Sequence, residues 1–381
     1  MTLPPLSLYV HIPWCVRKCP YCDFNSHAQR DTELPEQAYV KALLDDLDEE
    51  RALSGARPLQ TIFFGGGTPS LFSAAAIGDL LDGVAARFAL APELEVTLEA
   101  NPGTYEQARF ADYRRAGVNR LSIGVQSFND NALTALGRIH QGREARTAAE
   151  SARELFPRLN LDLMHGLPGQ TPAQAIEDLA IAIGLETDHL SWYQLTIEPN
   201  TEFHSRPPQL PLDEALWAIQ EQGQAQLRED GFHQYEVSAY AKPGCQARHN
   251  LNYWRFGDYI GIGAGAHGKL SQTSNSGGML IRRRHKIRQP AAYMDAERRL
   301  AGDQPVSTNE LPFEFMLNAL RLHDGFDLAL FFKRTGLELA EIQPTLIEAE
   351  RRQLLTLKGG RVQPTLSGQL FLNDLLAMFL E

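Results

Sequence analysis

The sequence contains little cysteine and no long apolar run. Four cysteines in 381 residues are too few for a disulfide-stabilised secreted scaffold. No stretch reaches the roughly 18–20 uninterrupted apolar residues that a transmembrane helix needs. The opening MTLPPLSLYVHIPW lacks a charged segment followed by an apolar one, so it does not indicate a secretion signal. We therefore expect a cytoplasmic protein without a transmembrane segment, which reaches a membrane only peripherally and through a partner.

Positive charge is also scarce. The chain has 36 Lys and Arg against 47 Asp and Glu, a formal net charge of −11. This excess of acidic side chains predicts that the protein binds no nucleic acid. Hydrophobic residues make up 43% of the chain, which is typical of a globular protein with a sizeable core.

Strand patterns alternate with helix patterns through the first 232 residues. Six strand patterns begin LSLYVHIP, TIFFGGG, LEVTLEA, RLSIGVQ, LNLDLMH and HLSWYQL, and a helical pattern follows each of them. Such alternation predicts an α/β fold in which helices cover a parallel sheet. Six units are fewer than the eight of a closed (β/α)8 barrel, so we expect a partial (β/α)6 barrel. Its ligands should gather at the C-terminal ends of the strands.

The composition divides the chain into three predicted regions. Residues 1–232 form the partial barrel, and residues 233–305 form an aromatic- and glycine-rich extension that includes HNLNYW and a basic strand. Residues 306–381 show a helix, two short extended pieces around KGGR and a further helix, which predicts a smaller helical, winged-helix-like domain. Acidic residues outnumber basic ones there, so we expect a packing or partner-docking unit rather than a DNA-binding one.

Three of the four cysteines lie within eight positions. Cys15, Cys19 and Cys22 follow a C-x3-C-x2-C spacing just after the first predicted strand. Thiolates are ligands for iron–sulfur clusters and for zinc. Clusters of four irons usually bind four thiolates, so three would leave one iron open to a small molecule. A zinc site completed by His11 or His27 is the alternative that the spacing leaves open.

The cysteine motif and the segment GGGTP at residues 65–69 together resemble the radical S-adenosylmethionine (SAM) superfamily. The segments LEANP, GVQSF, GRIHQ, DLMHGLPGQT and GIGAGAHG extend this resemblance over essentially the whole chain, to the oxygen-independent coproporphyrinogen III oxidase group. The resemblance implies a 4Fe-4S cluster on Cys15, Cys19 and Cys22, SAM on its open iron, and an electron donor for the cluster.

The same resemblance implies a set of SAM-binding residues. It places aromatic rings beside SAM, backbone groups at its amino group, polar side chains at its other polar groups and a carboxylate at its ribose hydroxyls. A Glu or Gln at a strand end often only caps a helix or pairs with a neighbour, and this is the alternative for each residue taken singly. The residues are, in chain order, Tyr9, Tyr21, Gly66, Gly67, Thr68, Glu99, Gln126, Arg138 and Asp162.

Three features distinguish this chain from the decarboxylating oxidases of the group. Those enzymes carry a fourth cysteine two residues after the third, where this chain has Phe24, and a longer extension before the first strand, which here begins near Leu8. HNLNYW at residues 249–254 matches the HNxxYW motif of a heme-chaperone branch. The implied function is a heme chaperone that delivers heme to respiratory or other heme proteins. An oxygen-independent coproporphyrinogen III oxidase of porphyrin biosynthesis, and a radical SAM enzyme with another substrate, are the alternatives.

The HNxxYW motif suggests a heme ligand. A neutral imidazole such as that of His249 can bind heme iron axially, or the motif can instead keep the heme-binding region in shape. Cys245 is a second candidate ligand, although a buried and inert thiol is the ordinary interpretation. The resemblance also implies a homodimer, for which the sequence shows no surface pattern.

The run RRRHKIR at residues 282–288 is strongly basic in an otherwise acidic protein. Such a run is ordinarily a solvated strand face. Alternatively, Arg282, Arg284 and Lys286 alternate along one face of a strand and present cations to heme propionates or to an acidic partner.

Overall fold

The computed structural model of this chain describes residues 2–29, 33–103, 107–273 and 278–380. Its strands are, in chain order, β1 (Leu6–Ile12), β2 (Trp14–Cys15), β3 (His27–Ala28), β4 (Leu59–Gly66), β5 (Leu90–Ala100), β6 (Arg120–Gln126), β7 (Arg158–His165), β8 (His189–Gln194), β9 (His233–Glu236), β10 (Ala239–Ala241), β11 (Asp258–Ile262), β12 (His267–Thr273), β13 (Met279–Lys286), β14 (Leu300–Pro305), β15 (Phe326–Asp327), β16 (Leu355–Lys358) and β17 (Arg361–Pro364).

Helices connect most of the parallel strands. They are α1 (Glu36–Ser54), α2 (Ala74–Ala85), α3 (Phe110–Ala116), α4 (Asp130–Ala135), α5 (Gly142–Leu155), α6 (Pro172–Gly184), α7 (Glu202–Ser205), α8 (Asp213–Glu229), α9 (Arg248–Trp254), α10 (Pro290–Asp295), α11 (Leu311–Ala319), α12 (Leu328–Thr335), α13 (Gln343–Arg351), α14 (Leu366–Leu370) and α15 (Leu372–Ala377). The helix predicted over TYEQARFADYRRAG forms α3, and its residues 104–106 lie outside the described residues. None of the helices within the described residues is long and apolar enough to cross a membrane.

One twelve-stranded sheet organises the chain, in the order β14-β13-β12-β11-β1-β4-β5-β6-β7-β8-β10-β9. The seven strands from β11 to β8 are parallel, and antiparallel strands extend the sheet on both sides. In the described part of the chain the two edge strands, β14 and β9, do not pair with each other. The sheet therefore stays open, and the predicted partial barrel is confirmed.

The seventh parallel strand, β11, was not predicted from the sequence. Its residues DYIGI lie in the glycine-rich extension, and antiparallel β12 follows it instead of a helix. The strand–helix alternation therefore does not reveal it. Because β11 to β14 pair into the same sheet as β1, the extension is continuous with the barrel, and the region boundary at residue 232 stays a prediction.

The two faces of the parallel strands differ in polarity. On β1, Leu6 and Leu8 are fully buried in the main hydrophobic core, which includes Tyr39 and Leu43 of α1. The intervening side chains point the other way, because successive strand residues alternate between faces. There the hydroxyl of Thr61 donates to Ser7 Oγ over 2.8 Å. The barrel interior is thus lined with hydrogen-bonding groups, which suits it to polar ligands.

The C-terminal region has its own core. Helices α11 to α13 pack with the three-stranded sheet β15-β17-β16, and side chains such as Phe315, Phe331 and Val362 are fully buried between them. Helices followed by a two-stranded hairpin are the arrangement that the winged-helix-like prediction requires. Arg321, just after α11, pairs with Glu236 of the extension over 3.1 Å and lies 4.3 Å from the ring centroid of Trp254. These contacts fix the region against the barrel.

The basic run forms most of β13, and its predicted roles are wrong for the residues on the alternating face. Arg284 and Lys286 are buried and pair with Glu50 of α1, while Arg282 pairs with Asp303 over 2.7 Å. These cations are neither a solvated face nor free for propionates, because carboxylates of this chain already neutralise them. The sequence does not reveal this, since α1 lies more than 200 residues away along the chain.

Candidate functional site

A cavity of about 880 Å³ opens at the C-terminal ends of the parallel strands. We call it the cluster cavity. It brings together eleven predicted site residues from the loop after β1, from β4 and the turn after it, from β5, β6 and β7, and from the segment after α4. Of the predicted site residues, its lining includes Cys15, Cys19, Tyr21, Cys22, Gly66, Gly67, Thr68, Glu99, Gln126, Arg138 and Asp162.

The three cysteines lie on a loop that short-range hydrogen bonds close. Strands β2 and β3 pair at its two ends, and the amide of Cys22 donates to the carbonyl of Cys19 over 3.1 Å. Arg138 Nη1 lies 3.7 Å from Cys19 Sγ, and all three thiols are free of disulfides. This set of soft donors beside a buried cation fits an anionic iron–sulfur cluster.

The single-zinc alternative finds no support in this geometry. Within residues 2–29, 33–103, 107–273 and 278–380, no three Cys, His, Asp or Glu side chains are arranged to hold one metal ion. His11 is also engaged elsewhere, since its Nδ1 lies 2.9 Å from the Tyr9 hydroxyl and its Nε2 lies 2.9 Å from the carbonyl oxygen of Asn25. A cluster does not require its thiolates to converge on one atom, because each binds a different iron. The donor set therefore fits a cluster better than zinc.

The glycine segment at the end of β4 lies against the cysteine loop. The amides of Gly67 and Thr68 donate to the carbonyls of Ile12 and Trp14 over 2.8 and 2.7 Å. A side chain at Gly67 would place its Cβ 2.5 Å from the Trp14 carbonyl oxygen, and Gly66 has a φ of 112°. Only glycine allows this close approach of two backbones, so the cavity wall here consists of main chain.

Glu99 is a carboxylate at the end of β5 that lines the cluster cavity. Its Oε2 accepts a hydrogen bond from the amide of Gly66 over 3.3 Å, and it forms no salt bridge in the described part of the chain. Burial, reinforced by the nearby charge of Asp162, raises the pKa of Glu99 to about 8. A ligand that brings a positive charge would relieve this cost, as the ammonium group of an amino acid would.

Asp162 and Gln126 are held in place from neighbouring strands. Asp162 accepts hydrogen bonds from Ser122 and Asn160 over 2.9 and 2.8 Å. Gln126 has a φ of 68° at an irregularity between β6 and β7, and its side-chain oxygen accepts from the Tyr193 hydroxyl over 3.0 Å. Both acceptors are thereby aimed into the cavity with fixed orientation.

Arg138 connects the cysteine loop with the glycine segment. Its Nη2 donates to Asn101 Oδ1 over 2.7 Å and to the Gly124 carbonyl over 2.8 Å. Asn101 in turn donates to Thr68 Oγ1 over 3.1 Å. The Nε of Arg138 is buried and has no hydrogen-bond partner within the described residues, so one donor remains for a ligand.

Tyr9 does not line the cluster cavity. It lies in a neighbouring cavity of about 570 Å³, which we call the aromatic cavity, and its hydroxyl bonds to His11. Phe24, Gly66 and Glu99 line both cavities and so form a shared wall. The aromatic cavity is lined by Tyr9, His11, Phe24, Asn25, Gly66, Glu99, Tyr253, Trp254, Tyr259, Gly265, His267, Arg288 and Asn318.

The HNxxYW motif forms the short helix α9, whose side chains diverge. Tyr253 and Trp254 line the aromatic cavity, and Asn250 lines the cluster cavity. His249 is only 1% exposed and points into the barrel interior, where its Nδ1 lies 2.6 Å from Thr61 Oγ1 and its Nε2 lies 2.7 Å from the Tyr253 hydroxyl. Heme ligation by His249 stays a prediction, and both of its ring nitrogens are hydrogen-bonded in this structure.

Sequence reasoning missed Tyr193 and Asn25, and it placed Asn101 at the end of the third predicted strand without a specific role. The Tyr193 hydroxyl donates a hydrogen bond to Gln126, and Asn101 links Thr68 to Arg138 through two hydrogen bonds. Asn25 forms hydrogen bonds with three other segments of the chain. Tyr193 faces the cavity because it lies two residues after Ser191 on β8, a periodicity that is visible in the sequence. Asn101 and Asn25 lie in loops, where no periodic signal exists.

Family models match two parts of the chain. Residues 9–181 match the Radical SAM superfamily, and residues 306–371 match the HemN C-terminal domain. Among solved structures, the chain resembles coproporphyrinogen III oxidase (HemN) from Escherichia coli, a radical SAM enzyme, with a TM-score of 0.81 over 99% of this chain and 90% of that one. At 22% identity this likeness shows the shared fold alone. The superfamily implies a 4Fe-4S cluster and SAM, which fits the donor set described above.

Curated relatives match over the full length. The heme chaperone HemW of Escherichia coli (strain K12) is 56% identical over 99% of both chains. The heme chaperone HemW of Haemophilus influenzae is 50% identical over 99% of this chain and 98% of the relative. That of Bacillus subtilis is 34% identical over 98% and 99%. The chain therefore belongs to the HemW family of the radical SAM superfamily.

Proposed function

We propose that this protein is a cytoplasmic heme chaperone, which binds heme on a radical SAM scaffold and delivers it to respiratory or other heme proteins. The observation that carries this proposal is the placement of α9. This one helix presents Asn250 to the cluster cavity and Tyr253 and Trp254 to the aromatic cavity. Full-length identity to proteins named heme chaperones supports the same assignment.

Cys15, Cys19 and Cys22 are the proposed ligands of a 4Fe-4S cluster. When bound and reduced by an electron donor, such a cluster supplies one electron at a time. The protein's own part is to hold the cluster beside Arg138, whose cation balances the charge of the thiolates. It also shields the cluster between the cysteine loop and the end of β4.

The cluster cavity is the proposed SAM site. Gly66, Gly67, Thr68 and Glu99 offer backbone and carboxylate groups to the amino group, and Tyr21 borders the adenine side. Gln126 and Arg138 would contact other polar groups of SAM, and Asp162 would accept hydrogen bonds from the ribose hydroxyls. Tyr9 is proposed to support the SAM site by packing, because it lies beside Gly65 and Glu99 in the adjoining cavity.

His249 is proposed as a positioning residue of the heme region. Burial, followed by the charge of Arg120, lowers the pKa of His249 to about 3, so the ring is neutral with one donor and one acceptor nitrogen. Tyr253 donates to Nε2, and Nδ1 donates to Thr61, which donates onward to Ser7. This chain of hydrogen bonds fixes the Tyr253 ring at the wall of the aromatic cavity.

The proposed partners are a heme-accepting protein, an electron donor and a second copy of the chain in a homodimer. Contact with a membrane is proposed to be peripheral, through the acceptor. The C-terminal winged-helix-like region, proposed as residues 306–381, offers a docking surface. Leu366 and Phe371 are 70% and 57% exposed there, which is unusual for large apolar side chains.

Oxygen-independent coproporphyrinogen III oxidation is the competing function. Phe24 occupies the position of the fourth cysteine and is 63% exposed at the mouth of both cavities, so it offers ring surface in place of a thiol. The test uses the anaerobically reconstituted protein with SAM, a strong reductant and coproporphyrinogen III. We expect no protoporphyrinogen, whereas product at catalytic turnover would overturn the chaperone assignment. Cys19→Ser serves as the blank for products that form without a cluster.

Measurement of heme binding is a second test of the same proposal. Titration with ferric heme should show saturable binding by the wild type and weaker binding by Trp254→Leu. Trp217→Leu is the matched control, because Trp217 is 56% exposed and lines a different cavity. Equal loss in both variants, or no saturable binding by the wild type, would refute the proposed role. Melting temperatures of both variants separate lost binding from lost folding.

A further inference from the structure

The aromatic cavity has the size and lining of a site for a flat aromatic ligand. Its volume of about 570 Å³ lies within the range of small-molecule and cofactor sites, which is roughly 300–1,000 Å³. Tyr253, Trp254 and Tyr259 form one group of rings, and Tyr9 and Phe24 add two more. Tyr253 and Tyr259 meet edge to face with their ring centroids 4.5 Å apart, so these rings form a rigid wall.

Among the residues that the structure describes, one histidine of this cavity has ring nitrogens without hydrogen bonds. His11 bonds through both nitrogens, as does His249 behind the wall. His267 lines the cavity, is exposed, and its ring makes no hydrogen bond within the part of the chain that the structure describes. Its ring stacks on that of His285, with centroids 5.6 Å apart and planes inclined by 24°. Because stacking occupies one face of the ring, the nitrogen atoms at its edge are available to bind a metal.

Burial and the neighbouring cations favour the neutral form of the His267 ring. Burial, followed by His285, Arg283 and Arg288, lowers the pKa of His267 from its ordinary value. A neutral imidazole is the form that ligates metals. His267 therefore needs no deprotonation step before it binds an iron atom near neutral pH.

Arg288 supplies the charge that an anionic ligand needs. The neighbouring cations Arg282, Arg283 and Arg284 are each paired with a carboxylate of the chain. Arg288 lines the cavity, is exposed, and has no acidic partner within the described residues. Its guanidinium can fork onto a carboxylate. Within the described residues, the cation of the basic run that has no acidic partner thus lies at the aromatic cavity, beside His267.

We propose that the aromatic cavity binds heme, with His267 as an axial ligand of the iron and Arg288 as the partner of a propionate. This inference rests on the proposed heme-chaperone function and assigns its ligand to residues outside the HNxxYW motif. Tyr253 and Trp254 then contact the porphyrin face, and His249 supports Tyr253 from the barrel interior.

Asn25 links the site to the cysteine loop through hydrogen bonds. The Asn25 side chain donates to the carbonyls of Ala264 and Arg288 over 2.8 and 2.9 Å, and its own carbonyl bonds to His11. Asn25 follows Cys22 by three residues, so hydrogen bonds join the cysteine loop directly to the segment that carries Arg288. Phe24 and Glu99 line both cavities, which places heme and SAM on opposite sides of one wall.

Titration of the full-length protein with ferric heme tests this proposal. We expect His267→Ala to weaken heme binding about tenfold or more and to lose the imidazole-ligated Soret and electron paramagnetic resonance spectra. Added imidazole should restore the spectra. His204→Ala, at an exposed histidine of α7 outside this cavity, should behave like the wild type.

A second pair of variants tests the propionate contact. Arg288→Gln should weaken binding of heme and leave binding of heme dimethyl ester unchanged, while exposed Arg206→Gln changes neither. Wild-type affinity and spectra in His267→Ala would overturn the proposed ligand and leave the chaperone function standing. Absence of saturable heme binding by the wild type would overturn the chaperone function itself, so the two failures are distinguishable.

Discussion

The hydroxyl of Tyr253 lies 2.7 Å from Nε2 of His249, and both residues belong to the HNxxYW motif. The side chains of the motif are therefore already hydrogen-bonded to one another and to the barrel interior. Its conspicuous histidine is a buried, neutral hydrogen-bonding residue, and its tyrosine and tryptophan are the parts that reach a cavity. We expect the motif to act by shaping the cavity wall.

Replacement of His249 should therefore affect stability more than heme ligation. His249→Ala removes one of the two hydrogen bonds of the Thr61 hydroxyl and the bond of the Tyr253 hydroxyl to the ring, so the free energy of unfolding should fall by about 2–4 kcal/mol. His249→Gln, which can keep one hydrogen bond, should lose less. Urea denaturation measures both. Unchanged stability together with loss of the heme spectrum would instead make His249 the ligand.

The fold was largely accessible from the sequence because parallel strands and amphipathic helices have distinct periods. β1 and β4 to β8 all appear as apolar runs followed by helices, and all six are found. β11 escaped prediction because it has no following helix, and the pairing of Arg284 and Lys286 escaped because it depends on distant carboxylates. Hydrophobic periodicity depends on local structure, whereas ion pairs between distant residues depend on the tertiary fold.

The site was predictable only as far as its motifs extend. The cysteine loop and GGGTP are contiguous, and the structure brings them together at the C-terminal ends of the strands. Tyr9 was expected beside SAM but lies in the aromatic cavity, because β1 carries it behind Gly65. His267 and Arg288 belong to no motif, and only the tertiary structure places them in one cavity.

Serine replacement of each cysteine should separate the cluster ligands from the remaining thiol. Cys15→Ser, Cys19→Ser and Cys22→Ser should each lose most iron and acid-labile sulfide after anaerobic reconstitution, because serine is a poor ligand for these clusters. Cys245→Ser is the matched control and should retain both, since Cys245 lies outside the cluster cavity and contacts Arg158. Loss of iron in the Cys245 variant alone would contradict this ligand assignment.

Gly67→Ala should disrupt the cluster cavity through one added methyl group. Its Cβ would meet the Trp14 carbonyl oxygen at 2.5 Å, so the cysteine loop has to shift, at a cost of about 1–3 kcal/mol. We expect weaker SAM binding in equilibrium dialysis and lower iron content. Gly184→Ala on α6 adds the same group where nothing lies within 4 Å, and it should change neither quantity. Normal SAM binding by Gly67→Ala would refute the close packing of loop and strand.

Glu99→Gln should stabilise the ligand-free protein in a pH-dependent manner. The folded pKa of Glu99 is raised from 4.5 to about 8, so the folded state retains a proton that the unfolded state has released. This group therefore lowers the free energy of unfolding as pH rises from about 5 to 8, and the neutral amide removes the effect. The difference in melting temperature between variant and wild type should grow over this range.

The same variant should lose affinity for SAM, because glutamine cannot balance an ammonium charge. Glu93→Gln is the control, as Glu93 is an exposed residue of the same strand. A melting-temperature difference that stays constant with pH would show that Glu99 is not an uncompensated buried acid. Unchanged SAM affinity would remove it from the proposed SAM site.

Transfer of heme to an acceptor decides most directly whether the chain is a carrier. Heme-loaded protein is mixed anaerobically with the apo form of a respiratory heme enzyme, in the presence of excess apomyoglobin as a scavenger of free heme. We predict that the acceptor gains its heme spectrum and activity at a rate that does not depend on the scavenger. Heme that appears only in the scavenger, or that never leaves the protein, would contradict the proposed chaperone function.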